Sequence, residues 1–154
     1  MEKDRLLDPR CHAVALILLA LVLASCSLPR IAILGDPLTP EEHVNLGVSY
    51  EKRGELDAAP KEYIAAAKAM PLAYLYVGNV YFQKKSFPDA EKAYKKAIDK
   101  TNSAEARNNL AWLYYTTGSH MDEAEALARK AVELIPESEE FKDTLRKIED
   151  ARRR

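Results

Sequence analysis

Cysteine is scarce in this sequence. Cys11 and Cys26 are the only two thiols, and both precede residue 27, so the chain from Ser27 onward can form no disulfide of its own. Histidine is nearly as rare: His12, His43 and His120 stand far apart, and with no paired cysteines beside them the chain has no metal-ligand spacing. His43 and His120 read as surface side chains. An excess of either charge is missing too, since 23 Lys and Arg meet 24 Asp and Glu for a net charge of -1. The two signs are interspersed as on solvated helices, which gives no reason to expect a nucleic-acid partner. No Gly-rich phosphate loop is present, and no nucleophile, base and orienting group fall into a pattern that would carry catalysis. The reading is therefore not an enzyme, with no cofactor and no metal. Long apolar runs are also wanting: the longest, Ala13 to Ala24, has twelve residues, short of the roughly 20 that span a bilayer.

That run is the right length for the apolar centre of a signal peptide. Lys3, Arg5 and Arg10 precede it, offset by Glu2, Asp4 and Asp8, and Leu23-Ala24-Ser25-Cys26 ends it. This ending resembles the lipobox of bacterial lipoproteins. The resemblance implies that residues 1–25 are removed and that the thiol of Cys26 is the nucleophile that takes the lipid. Several acyl chains on one residue anchor a protein stably, where a single chain holds only marginally. In that family a residue other than Asp after the cysteine, here Ser27, goes with export to the outer membrane rather than retention at the inner one. The implied location is the bacterial cell envelope, facing the periplasm. The alternative, a cytosolic protein whose apolar run is a buried helix, would need a polar face that the run lacks. Residues 26–38, with Pro29, Gly35 and Pro37, read as a tether. Its centre, Ile31-Ala32-Ile33-Leu34, is apolar enough to dock on the rest of the chain.

After the tether one phrase recurs. Asn45-Leu46-Gly47-Val48-Ser49-Tyr50 returns as Tyr76-Val77-Gly78-Asn79-Val80-Tyr81 and as Asn109-Leu110-Ala111-Trp112-Leu113-Tyr114. A second phrase follows each copy: Ala59, Tyr63, Ala66; then Ala90, Tyr94, Ala97; then Ala124, Ala128, Ala131. From Gly47 to Gly78 to Ala111 the period is 31 and then 33 residues, in the range of stacked supersecondary units. A small residue near a tyrosine lets a second helix approach while the ring fills the space beside it. The second phrase, spaced by 4 and 3, lies on one helical face. These residues resemble the tetratricopeptide repeat. The resemblance implies an all-α solenoid of three helix-turn-helix repeats, at 39–70, 71–103 and 104–136, closed by a capping helix at 137–154.

Local signals place the helices. Thr39-Pro40-Glu41-Glu42 combines a capping hydroxyl, a proline in the first helical position and a glutamate three residues after the cap. The first helix is predicted to run to about Arg53 and stop at Gly54. Its partner covers about 56–69, with Pro60 in the second turn, where it deletes a backbone bond or forces a kink. Further helices are predicted over about 72–84, 87–100 with Ser86 as N-cap, 103–117 and 122–135. The turn at Gly118-Ser119-His120-Met121 is expected to be one residue longer than its equivalent at Gly54. Pro71 and Pro136 stop the second helices of repeats one and three, with Asn102 in their place in repeat two. Beyond Pro136, Ser138 can cap a last helix to about residue 151. Its Phe141, Leu145 and Ile148 share one face, and the other face is charged, as the end of a repeat array requires. Arg152, Arg153 and Arg154 complement the dipole of that helix.

In the tetratricopeptide family the first helices line a concave groove that holds extended peptides or a partner's helix. The resemblance therefore implies partner-binding positions at Val44, Asn45 and Val48, at Leu75, Asn79 and Phe82, and at Asn108, Asn109, Trp112 and Tyr115. The asparagines can both donate to and accept from a peptide backbone. The basic clamp by which some members hold a C-terminal carboxylate is not matched, since Glu41 and Glu105 flank this surface. Two other readings stay open: that these residues are consensus packing, and that Ile31 to Leu34 covers them. Together the two resemblances imply a lipid-anchored adaptor in the assembly of an outer-membrane, pilus or secretion complex. The alternative is an accessory subunit that recruits a cell-wall enzyme. The anchor is directly testable. Wild-type protein should incorporate labelled palmitate and Cys26→Ala should not, remaining unprocessed; an unlabelled wild type that fractionates like the mutant would remove the anchor from the reading.

Overall fold

The computed structural model describes residues 36–153. The proposed signal peptide, Cys26 and the apolar part of the tether lie outside them. Thr39 opens the first helix through a reciprocal cap. Its Oγ1 accepts the Glu42 N–H at 3.2 Å while the Glu42 carboxylate accepts the Thr39 N–H at 2.8 Å. Seven helices follow: α1 (Pro40–Lys52), α2 (Ala59–Ala66), α3 (Ala73–Gln83), α4 (Phe87–Thr101), α5 (Ala104–Thr117), α6 (Met121–Leu134) and α7 (Glu139–Arg152). Each packs on the next, and α3, α5 and α7 also lie side by side. The architecture is an all-α solenoid of three helix pairs with a terminal helix. Among the described residues no helix is long and apolar enough to cross a membrane.

The repeated phrases make the core. All nine positions of the second phrase, from Ala59 to Ala131, are at most 2 % exposed. The ring that fills the space over Gly47 comes from Tyr63 of α2, and the ring over Gly78 comes from Tyr94 of α4. The third repeat has Ala111 in place of glycine and Ala128 in place of that tyrosine, both fully buried in one cluster. Small residue and ring thus change together, keeping each helix pair filled.

The first helices of all three repeats end alike. Gly54, Lys85 and Gly118 take a left-handed conformation, and the next N–H reaches back to a tyrosine carbonyl: Glu55 to Tyr50, Ser86 to Tyr81 and Ser119 to Tyr114. This six-residue closure satisfies a carbonyl that the helix end would otherwise leave open. Lys85 adopts it without glycine. Asn102 stops α4 by the same conformation, at φ 54°, which asparagine tolerates better than most residues.

Four expectations need correction. Pro60 kinks nothing, because α2 begins only at Ala59 and the proline falls in its first turn, where the missing N–H has no intrahelical acceptor to lose. The late start makes the connection after α1 six residues long, 53–58, against three, 118–120, after α5, reversing the expected order. Ser86 stands at the N-cap of α4, but its hydroxyl donates to the Asp89 carboxylate at 2.7 Å instead of accepting a backbone N–H. His43 is not a surface residue. One turn before Gly47 on the inner face of α1, it is 6 % exposed and its Nδ1 lies 2.7 Å from Glu62 Oε2 of α2.

The terminal helix seals the array with the predicted face. Phe141 and Ile148 are buried and Leu145 packs against the same core, while Arg152 pairs with Asp122 and Glu125 of α6. The contact that sets the helix-pair distance yields a prediction at Gly47. A Cβ there would sit 2.5 Å from Tyr63 Cε1, and the ring is held, fully buried, by its hydroxyl donating to Glu51. Alanine would gain up to about 1 kcal/mol of helix propensity but lose about 1–3 kcal/mol to overpacking. Gly47→Ala should therefore lower stability in urea unfolding, and the loss should vanish when measured in a Tyr63→Ala background.

Candidate functional site

The site is organised on α5. Trp112 projects from the side of this helix that α3 and α7 flank, and its ring is half-buried. Tyr115 lies against it with centroids 5.2 Å apart at 36°. From α7, Lys147 Nζ stands 5.1 Å from the indole centroid. Toward α3, a hollow of about 280 Å³ is lined by Asn79, Phe82, Tyr94, Asn109 and Trp112. Toward α7, a second of about 210 Å³ is lined by Asn108, Asn109 and Trp112 together with Glu140, Asp143, Thr144 and Lys147. The two adjoin at Asn109 and Trp112, which line both, and together they make a trough that runs past the indole across three helices. Its α3 end is aromatic, with Phe82 edge-on to Phe87 at 5.7 Å, and its α7 end is polar.

The floor of the trough is a hydrogen-bonded chain. Tyr94 Oη donates to Asn79 Oδ1 at 2.9 Å, and Asn109 Nδ2 donates to the same oxygen at 2.9 Å. That fixes which way Asn109 points: its own Oδ1 is turned toward Asn108 Nδ2, 3.5 Å away. Burial holds the Tyr94 phenol well above its ordinary pKa, so it stays a donor at any physiological pH. At the α7 end, Lys147, 2.7 Å away, and then Arg146 hold the Asp143 carboxyl below the usual range. Away from the trough, burial is the main cause that pushes Tyr114 up to about 12; its hydroxyl donates to Glu91 at 3.0 Å.

The structure gathers five of the ten sequence-identified positions around one space: Asn79, Phe82, Asn108, Asn109 and Trp112. Tyr115 stacks on that tryptophan from the side. The others differ. Leu75 is core, 8 % exposed in the cluster with Tyr94 and Leu110. Of the five gathered positions, Asn108 lines the trough from beneath, at 2 % exposure, not from its surface. Val44 and Val48 pack between helices against Tyr63 and its neighbours, and Asn45 is exposed on α1, outside both hollows. Sequence reasoning missed the contribution of α7. Its Glu140, Asp143, Thr144 and Lys147 recur at spacings of 3, 1 and 3, a polar stripe beside the apolar one, and that periodicity was the available signal. Among the described residues no group of three His, Cys, Asp or Glu side chains could hold a metal ion. What the trough offers is a flat aromatic ring, fixed amides and opposed charges, the means of recognising a chain segment.

The tetratricopeptide repeat family profile matches residues 44–104 and 78–139. No curated protein matches the chain. Among solved structures, the first tetratricopeptide domain of Spaghetti (RPAP3), bound to the HSP90 peptide SRMEEVD, superposes with a TM-score of 0.68 at 24% identity, covering 80% of this chain and 100% of that one. The first such domain of human RPAP3 gives 0.67 at 24% identity, covering 75% and 94%. A tetratricopeptide repeat protein from Parabacteroides merdae gives 0.67 at 19%, covering 78% of this chain but 48% of that one. At these identities the likeness is one of fold.

The partly exposed ring makes a prediction that separates surface from core. Removing a fully buried tryptophan costs about 3–5 kcal/mol. Trp112→Ala should cost about 1 kcal/mol, read from urea unfolding by circular dichroism. A loss in the larger range would put the indole in the core and take it out of the trough.

Proposed function

This chain belongs to the tetratricopeptide repeat family, a family of interaction modules rather than catalysts, and we propose that it is a lipid-anchored adaptor that holds a partner's extended segment or helix in the trough along α3, α5 and α7. The observation that carries this reading is that Trp112 and Asn109 line both hollows. An aromatic anchor, half-buried and backed by a rigid hydrogen-bonded floor, has the composition of an interaction hot spot. It needs little ordering before it binds, because Tyr94 and Asn109 already fix the amide of Asn79.

The occupant is not carried over from the structural neighbours. Spaghetti's domain is seen with the acidic peptide SRMEEVD. In this chain Val44 and Val48 occupy the first helix, and Glu140 and Asp143 line the far end of the trough. Neither arrangement suits a run of carboxylates.

The membrane part of the proposal rests on Leu23-Ala24-Ser25-Cys26. A lipid on Cys26 would hold the repeats at the periplasmic face of an envelope membrane, the outer one in preference. The trough would then decide what is held there, as a scaffold in the assembly of an outer-membrane, pilus or secretion complex. Crosslinking in intact cells, followed by purification from detergent extract, tests both parts. A channel, pilus or secretion component should be recovered with wild type and lost with Trp112→Ala, whose affinity should fall by about 30-fold. Recovery of a cell-wall hydrolase would move the function to recruitment of that enzyme. Partner recovery unaffected by Trp112→Ala would overturn the trough as the binding surface.

A further inference from the structure

The α7 end of the trough contains a group that packing alone does not call for. Asn108 is 2 % exposed and lines the hollow, yet its Oδ1 has no hydrogen-bond partner among the described residues. A buried amide oxygen without a donor destabilises the fold, and an apolar side chain of similar shape would remove that cost. The chain from Tyr94 through Asn79 and Asn109 turns Asn108 Nδ2 toward Asn109, 3.5 Å away, which leaves Oδ1 as the end without a donor.

Around that oxygen the hollow presents acceptors and negative charge. Glu140 and Asp143 line it together with the face of Trp112. Its one lining cation, Lys147, is already seated in a telling way, with Nζ 5.1 Å from the indole centroid and 2.7 Å from Asp143 Oδ2, while Arg146, outside the lining, pairs with the other oxygen of that carboxylate. The ring and the carboxylate therefore form a seat for a positive charge, held for the present by a half-exposed side chain on a flexible stem. An anionic occupant would meet two carboxylates. A purely apolar one would leave Asn108 Oδ1 without a donor. A cation with several N–H groups and no acceptor satisfies all of them.

Resting on the partner-binding reading above, we propose that the α7 end of the trough receives an arginine or lysine side chain from an extended partner segment. The charge lies over Trp112 between Asp143 and Glu140, Lys147 swings aside, and a turn of the Asn108 amide brings its Oδ1 to an N–H of the occupant. Apolar residues beside it in the segment fill the aromatic end at Phe82. The partner is thus read by a basic residue in an apolar context.

The test pans the full chain against a displayed library of random linear peptides and measures the recovered peptides by quenching of Trp112, the only tryptophan. Recovered peptides should share an Arg or Lys with apolar neighbours and bind more weakly as salt rises. The pair Glu140→Gln and Asp143→Asn should weaken them by about ten-fold, and Asn108→Leu by a similar factor. Asn108→Asp, which keeps the acceptor and adds charge, should bind at least as tightly as wild type, and so should Lys147→Ala. Peptides that lack a basic residue, or that need Lys147, would overturn the cation site while leaving the trough in place. Wild-type affinity in Asn108→Leu would show that the open oxygen holds a water only and overturn its role. Recovery of no peptide whose binding needs Trp112 would instead remove the partner-binding reading itself.

Discussion

The approach of a tyrosine ring to a bare backbone is the contact on which the rest of this structure depends. Gly47 under Tyr63 and Gly78 under Tyr94 leave no room for a Cβ, so the two helices of the first and second pairs meet at a distance set by the thickness of one ring. That distance fixes how far each of these first helices stands from its partner. The third repeat reaches a filled interface by another route, with Ala111 and Ala128 both fully buried. A glycine against that alanine would leave a void, and an alanine against a tyrosine would clash. The two positions therefore have to be read as a pair.

The same rings join the core to the site. Each of these tyrosines ends in a hydroxyl that needs a partner once the ring is buried. Tyr63 finds Glu51 on α1 and Tyr94 finds Asn79 on α3. In the second repeat that requirement reaches the trough, because Asn79 is also the acceptor for Asn109 of the next repeat. The floor of the trough is thus oriented by packing beneath it, and the amide of Asn79 cannot turn without releasing a buried phenol. The many ion pairs of the outer surface, such as Lys130 with Glu133, contribute far less, since exposed pairs are typically worth under about 1 kcal/mol.

The fold was legible in the sequence because its signals were redundant. A small residue and a tyrosine at a fixed spacing, alanines on one face and a cap at Thr39 all pointed to the same helix pairs, and the nine positions of the second phrase are all core. What misled were residues whose meaning depends on register. Pro60 breaks a helix or starts one according to where the first turn falls, and only the packing of Ala59 and Tyr63 decides that. Lys85 does a glycine's work, so composition hid the third copy of the turn. His43 and Leu75 were judged by residue type and by position in a family pattern, whereas their burial follows from which face of α1 and α3 the neighbouring helix covers.

The α7 part of the site is hidden in the sequence because a closing helix is read for one purpose. A helix that closes a solenoid must bury a stripe, here Phe141, Leu145 and Ile148, and keep the remainder polar. That requirement explains a polar stripe in general but not one that turns toward the tryptophan of α5. Glu140, Asp143, Thr144 and Lys147 lie next to the buried stripe and so fall at the edge of the α5–α7 contact, within reach of Trp112. Because α7 is not itself a repeat unit, its polar edge can change charge without disturbing any glycine–tyrosine contact. The aromatic end of the trough, by contrast, is tied through Asn79 and Tyr94 to the core and cannot vary so freely. In the proposed partner-binding reading recognition is therefore divided: packing constrains the anchor on α5 and α3, and the charge proposed to select the partner resides on the closing helix.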